Sequence, residues 1–136
     1  MAVPDLQRES EYTMGNIRLV SRYRHFGDDQ GPSLEVFWNA DGRTWTKVIR
    51  YDCFRAEPHR HIFHAEGRDE RVVPWGRGGT EDAIRATAAE LHDGLGQVLQ
   101  RAGYATAVGK TAQGEELDPV AEQAVADLRR RALASV

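Results

Sequence analysis

The segment Pro58-His59-Arg60-His61-Ile62-Phe63-His64 gathers three of the chain's five histidines, and Arg50, Asp52 and Arg55 stand just upstream. Imidazole exchanges a proton near neutral pH. Guanidinium presents a planar fork that matches phosphate. A carboxylate beside an imidazole fixes its tautomer and raises its pKa. Together these residue types describe acid–base chemistry on a phosphate ester. His59 and His61 also have the spacing of a metal-binding H-x-H pair, with His64, Asp52, Glu57 or His25 as a third ligand. The surrounding arginines oppose a bound cation, because like charges repel. A third reading is histidine tolerated on an exposed strand, with Arg50–Asp52 or Asp52–His59 an ordinary bridge, nearly neutral in energy when exposed. The residues alone leave these three readings open.

These side chains need strands to hold them. Ile17 to Phe26 alternates Ile17, Leu19 and Tyr23 against Arg18, Arg22 and Arg24, the period-two pattern of a strand with one basic face. Gly27 to Pro32 reads as a turn. Leu34 to Asn39 predicts a second strand, closed by an Asp41-Gly42 hairpin signal. Thr44 to Phe54, β-branched and aromatic, predicts a third. His59 to His64 predicts a fourth, Glu66 to Asp69 a turn, and Arg71 to Trp75 a fifth. Short turns between successive strands imply an antiparallel meander.

Within that meander, His59 and His61 share a face, and Arg60 and His64 point the other way unless a bulge near Phe63 brings His64 round. Antiparallel pairing of strands three and four sets Asp52 beside His59. Arg50 shares Asp52's face, and Tyr51 turns to the core. The basic face of strand one, Arg22 and Arg24 above all, joined with Arg50, Arg55 and Arg60, would form a phosphate-binding surface. Among Trp38, Trp45 and Trp75, at least two are expected in the core, because large aromatics in strands usually pack. Cys53, the only cysteine, reads as a buried small hydrophobe.

The chain then turns helical. After Gly76-Arg77-Gly78-Gly79, Thr80 is a good N-cap, and Ile84, Ala88, Leu91, Leu95, Val98, Leu99 and Ala102 fall on one helical face. Gly94 and Gly96 weaken its middle, and Gly103 is a natural C′ stop. Asp118-Pro119 starts a last helix with a thin stripe of Val120, Ala124, Val125 and Leu128. The expected organisation is a mobile arm or short helix over 1–16, an α+β domain over 17–103, a linker over 104–117 and a helix over 118–136. The last helix either folds back on its domain or docks another copy or a partner protein.

The chain carries 40% hydrophobic and 29% charged residues in 136, an ordinary balance for one globular domain. The net charge of −3 is uneven: from Ile17 to Gly79, 11 Lys/Arg stand against 9 Asp/Glu, and from Thr80 onward 6 stand against 9. That excess is too small for a non-specific nucleic-acid coat and suits a local phosphate pocket. No secretory signal and no bilayer-spanning stretch are legible, and one cysteine allows no internal disulfide, so a cytoplasmic setting is expected.

The run Val48-Ile49-Arg50-Tyr51-Asp52, a short loop, the Pro58–His64 segment, Trp75 and an amphipathic helix resembles the small TumE-like proteins, toxin components of prokaryotic toxin–antitoxin pairs. The likeness spans about Ile17 to Ala102. Cys53 stands where asparagine is common in that family, and the helix after Asp118 lies outside the likeness. The resemblance implies a metal-independent ribonuclease with no cofactor, an RNA substrate and a cognate antitoxin, while the thinly apolar C-terminal helix is by its own pattern the expected contact for that antitoxin or a second copy. For such a metal-free reaction the expected roles are His59 as base, His61 or His64 as acid, Asp52 orienting His59, and Arg50 and Arg60 on phosphate. A non-catalytic RNA- or protein-binding module and a metal-dependent hydrolase are the alternatives.

Overall fold

A computed structural model describes residues 5–104 and 117–135. Six strands form one antiparallel sheet in sequence order: β1 (Ser10–Met14), β2 (Ile17–Phe26), β3 (Asp29–Asn39), β4 (Trp45–Asp52), β5 (His59–Phe63) and β6 (Asp69–Val72). Among the described residues three helices follow: α1 (Gly79–Asp93), α2 (Leu95–Arg101) and α3 (Asp118–Ala134). The architecture is α+β, as the alternating strands and the later helical periodicity predict.

Period two sorts the strands into a covered and an open face. On the covered face Leu19, Val36, Ile49 and Ile62 stand in one row across β2 to β5, all of them buried. Each contributes on the order of 2 kcal/mol by leaving water. α3 lies over β1, β2 and β3. α1 reaches β4 and β5 through side chains: Tyr51 donates to Glu90 at 2.8 Å and Arg60 pairs with Glu90, while Trp75, beyond β6, donates from Nε1 to Thr87 at 3.0 Å. Trp38 and Trp75 pack with this core, whereas Trp45 lies on the open face under Arg18. Cys53 is fully buried, and burial pushes its thiol up to about 12.

Several elements differ from the sequence-based expectation. The arm over 1–16 contains β1, a strand paired in register from Ser10↔Ser21 to Met14↔Ile17; residues 1–4 lie outside the described residues. The turn over Gly27–Pro32 shrinks to Gly27-Asp28, because Phe26 already pairs with Asp29. Gly31 serves close approach rather than a turn: a Cβ there would lie 2.4 Å from the Cys53 carbonyl oxygen. The long helix breaks at Gly94, where two nearby glycines lower helix propensity. Its start is Gly79 with Gly78 at the N-cap, and Thr80 does not cap it. Gly103 takes φ +96, as a C′ glycine does.

Most of the linker expected over 104–117 (105–116) lies outside the described residues. Its two flanks belong to the core: Tyr104 donates to the Phe63 carbonyl at 2.7 Å, and Leu117 is fully buried. The apolar stripe of α3 folds back on the same domain, burying Ala124, Val125 and Leu128. Arg131 is buried with it, donating to Asp127 at 2.7 Å and to Ser10 on β1 at 3.0 Å. No helix among the described residues is long and apolar enough to cross a membrane.

Candidate functional site

Two adjacent rows on the open face assemble the site. One runs Val20, Glu35, Arg50, His61, Arg71 across β2 to β6. The other runs Arg22, Ser33, Asp52, His59. A bulge in β4 at Val48, between the pairs Val36↔Ile49 and Phe37↔Lys47, keeps Trp45 and Lys47 on this same face. The rows border a cleft of about 390 Å³ lined by Arg24, Phe26, Arg50, Asp52, Phe54, His59, His61 and Arg71.

Asp52 organises the cleft. Its carboxylate is 1% exposed. Oδ1 accepts from Ser33 Oγ at 2.8 Å, and Oδ2 accepts from Arg50 Nε at 3.0 Å. His59 Nε2 lies 3.0 Å from the same Oδ2. Burial by itself would raise the carboxyl's pKa, but hydrogen bonds from His59 and Ser33, with Arg50's charge, reverse that and hold it at about 2.

His59 has an acceptor at each ring nitrogen: Asp52 at Nε2, and the Glu57 carbonyl at Nδ1, 2.9 Å away. The hydrogen bond to Asp52 raises its pKa against the opposing effect of burial. Acceptors at both nitrogens favour the cation, because only the protonated ring donates from both. In that form it has no open nitrogen to receive a substrate proton. The expectation that His59 is the base therefore does not fit its hydrogen bonds.

His61 is placed differently. Its Nδ1 lies 2.8 Å from Asp69 Oδ1 on β6, while Nε2 stands 3.7 Å from Asp52 Oδ2, beyond hydrogen-bond reach. Phe63 stacks on the ring in parallel, centroids 5.8 Å apart. An imidazole oriented through Nδ1 by a carboxylate, with Nε2 facing a cleft, is the arrangement of a general base. Asp69 and Arg71 were absent from the sequence-based set. The expected turn over Glu66–Asp69 hid Asp69: β6 runs Asp69–Val72 rather than from Arg71 to Trp75, and its register pairs Arg71 with His61 and Asp69 with Phe63 on the same face.

Other expected residues are dispersed. Arg60 and His64 project to the covered face, and β5 pairs with β6 through Phe63↔Asp69 without a bulge that would turn His64 round. Arg60 is buried against Trp75, its guanidinium carbon 4.4 Å from the ring centroid, and pairs with Glu90. His64 is buried beside Glu70, 2.8 Å from Nε2. The sheet itself separates both from the cleft, so neither joins the acid–base group or the phosphate-binding set. Arg55 donates to the carbonyl and hydroxyl of Ser135 at the end of α3. Arg22 is held between Glu9 at 2.5 Å and Glu35 at 2.9 Å. Arg24 and Arg50 line the cleft.

Asp52 Oδ2, His59 Nε2 and His61 Nε2 also converge closely enough to hold a metal ion, all within 4.8 Å of one another. Both Nδ1 atoms meet an acceptor, as the far nitrogen of a metal-bound histidine usually does.

Fold and site together define a small α+β protein with one helix-covered sheet face and one open face bearing an imidazole–carboxylate–guanidinium cleft. The chain belongs to the family described as a domain of unknown function (DUF7700), whose model matches residues 12–130. No curated protein and no solved structure matches it.

Proposed function

We propose that the open-face cleft binds the phosphodiester of RNA and catalyses its cleavage by metal-independent acid–base chemistry. The observation that carries this reading is the His61–Asp69 pair. It orients an imidazole whose Nε2 faces a cleft walled by Arg24, Arg50 and Arg71. His61 takes the proton of the attacking 2′-hydroxyl. The arginines and the protonated His59 stabilise charge that develops on the phosphorus-bound oxygens. Asp52 fixes Arg50 and His59 in place. As the 2′-oxygen bonds to phosphorus the P–O5′ bond breaks, the departing 5′-oxygen takes a proton from water, and His61 returns its proton to solvent. This differs from the sequence-based roles in moving the base from His59 to His61 and in removing Arg60 and His64 from the site.

A cytoplasmic toxin restrained by an antitoxin is the wider setting, supported by the sequence resemblance around Arg50-Tyr51-Asp52. The test is induced expression of wild type beside His61→Ala in a heterologous host, with total RNA analysed. Fragmented RNA and growth arrest in wild type only support the proposal. Intact RNA from well-folded wild type rejects it.

The convergence of Asp52, His59 and His61 favours one second reading, a metal-dependent hydrolase. The three residues would be the ligands, with Glu57 and Asp69 orienting the two rings. The arginines in the cleft weigh against it electrostatically. Isothermal titration with zinc and manganese separates the two. Tight binding lost in Asp52→Asn selects the metal reading, and no binding selects the metal-free one.

A further inference from the structure

Phe26 is the one large aromatic side chain among the described residues that is mostly exposed, at 71%. It ends β2 at the two-residue Gly27-Asp28 hairpin, where Gly27 adopts φ +58. Nothing in the core requires an aromatic ring there, and leaving its apolar surface in water carries a cost. Its position is specific: Phe26 lines the catalytic cleft and also a second hollow of about 390 Å³ on its other side. The two hollows share Phe26, Phe54, His59 and Arg71. The second is bounded further by Gly27, Asp28, Asp29, Ala56 and Glu57, and it lacks Arg24 and Arg50.

The two hollows therefore differ in chemistry across a shared wall. One concentrates guanidinium and imidazole groups, which suit a phosphate. The other keeps the exposed face of Phe26 but exchanges Arg24 and Arg50 for the carboxylates of Asp28, Asp29 and Glu57, which disfavours a second phosphate and suits an uncharged flat heteroaromatic ring. A phosphate and a base joined through one sugar present the same pair of chemistries at neighbouring positions. Bases in a duplex are stacked and paired, so only an unpaired nucleotide can lay its face on a side chain.

We infer that the second hollow is a nucleobase subsite, with Phe26 as its stacking platform, so that the cleft accepts single-stranded and not duplex RNA. This rests on the phosphodiester reading of the adjoining cleft and adds the substrate class. The flanking base of the bound phosphate stacks on Phe26. Stacking recognises the π-face and is tolerant of base identity.

The test uses the full-length protein, Phe26→Ala and Phe26→Trp, with two probes. One is a fluorescein-labelled single-stranded RNA hexamer carrying 2′-O-methyl groups, which lacks the attacking hydroxyl and stays intact. The other is inorganic pyrophosphate, which has no base. The expected result is hexamer affinity weakened roughly tenfold in Phe26→Ala and kept in Phe26→Trp. Pyrophosphate affinity is equal in all three proteins, and the hexamer annealed into a duplex competes poorly. Equal hexamer affinity in wild type and Phe26→Ala, with pyrophosphate still bound, overturns the base subsite and leaves the phosphate cleft standing. Failure of wild type to bind either probe overturns both. A wild-type dimer in sedimentation that Phe26→Ala dissociates also overturns the inference, because Phe26 is then a contact between copies.

Discussion

Asp52 and His59 face each other across β4 and β5 with Oδ2 and Nε2 3.0 Å apart, and the pair is closed off at the other ends by Ser33 and the Glu57 carbonyl. The carboxylate lies at about 2 and the imidazole above its ordinary 6.5. Each shift favours the ionic form of the pair, and together they make stability depend on pH in two opposite directions.

Asp52's folded pKa lies below its unfolded value of about 3.9, so its contribution is full above roughly pH 4 and is lost as pH falls toward 2. His59's folded pKa lies above about 6.5, so its contribution is full below that pH and is lost as pH rises through the folded value. The difference in unfolding free energy between wild type and Asp52→Asn should be largest between about pH 4 and 6.5. Its acid limb should amount to on the order of 2 kcal/mol. Urea denaturation across pH measures it, and a flat difference would disprove the pair's ionic character. At its maximum, Asp52→Asn should cost about 3 kcal/mol, because it leaves buried cations uncompensated.

His61 and His64 sit three residues apart on opposite faces of the sheet, so their substitutions should separate cleanly. His61→Ala should lower the rate of RNA cleavage by about a hundredfold or more. His64→Ala should leave the rate within a few-fold, once both proteins are shown folded by circular dichroism. Asp69→Asn should act through His61, shifting the pH–rate profile more than it changes substrate affinity. Equal losses in His61→Ala and His64→Ala would place the active group elsewhere.

Arg60 and Arg50 are near neighbours in register, yet only Arg50 belongs to the cleft. Arg60→Met should leave oligonucleotide affinity unchanged and cost stability, because Glu90 loses its ion pair and Trp75 its cation. Arg50→Met should weaken oligonucleotide binding and steepen no salt dependence; a lost phosphate contact reduces the salt slope. Titration at several salt concentrations distinguishes the two.

Gly31 admits the end of β4 to within a backbone contact. Gly31→Ala would place a methyl group 2.4 Å from the Cys53 carbonyl oxygen and 2.8 Å from the Phe54 Cα. The cost should be at least about 1–3 kcal/mol, the usual penalty of overpacking, since backbone must move. Asp52 and Phe54 flank that contact, so cleavage should fall as well. A Gly31→Ala protein as stable as wild type in thermal melts would contradict this packing.

Leu128 is fully buried where α3 meets the sheet. Leu128→Ala should cost about 2–5 kcal/mol. The unfolding transition should stay single, because the helix is part of the same core. Two separate transitions in calorimetry would show α3 to be an independent appendage.

Period two in Ile17–Phe26 and in His59–His64, with the Asp41-Gly42 turn, was enough to reveal the meander, the shared face of His59 and His61, and Asp52 beside His59. The two glycines at 94 and 96 marked where the long helix would weaken. β1 was not legible as a strand, because Glu11 to Met14 carries little apolar contrast; the Gly15-Asn16 turn was its one local signal. Alternation states which residues share a face but not which face the helices cover. Val20 and Phe63 lie on the open side while Arg60 and His64 lie on the covered one, against simple hydropathy. Only the docking of α1 and α3 decided that, since Glu90 and Trp75 supply Arg60's partners from distant sequence. The same holds for Asp69 on His61: the sequence determined the residue types and their local alternation, and the long-range packing of strands and helices determined which of them meet.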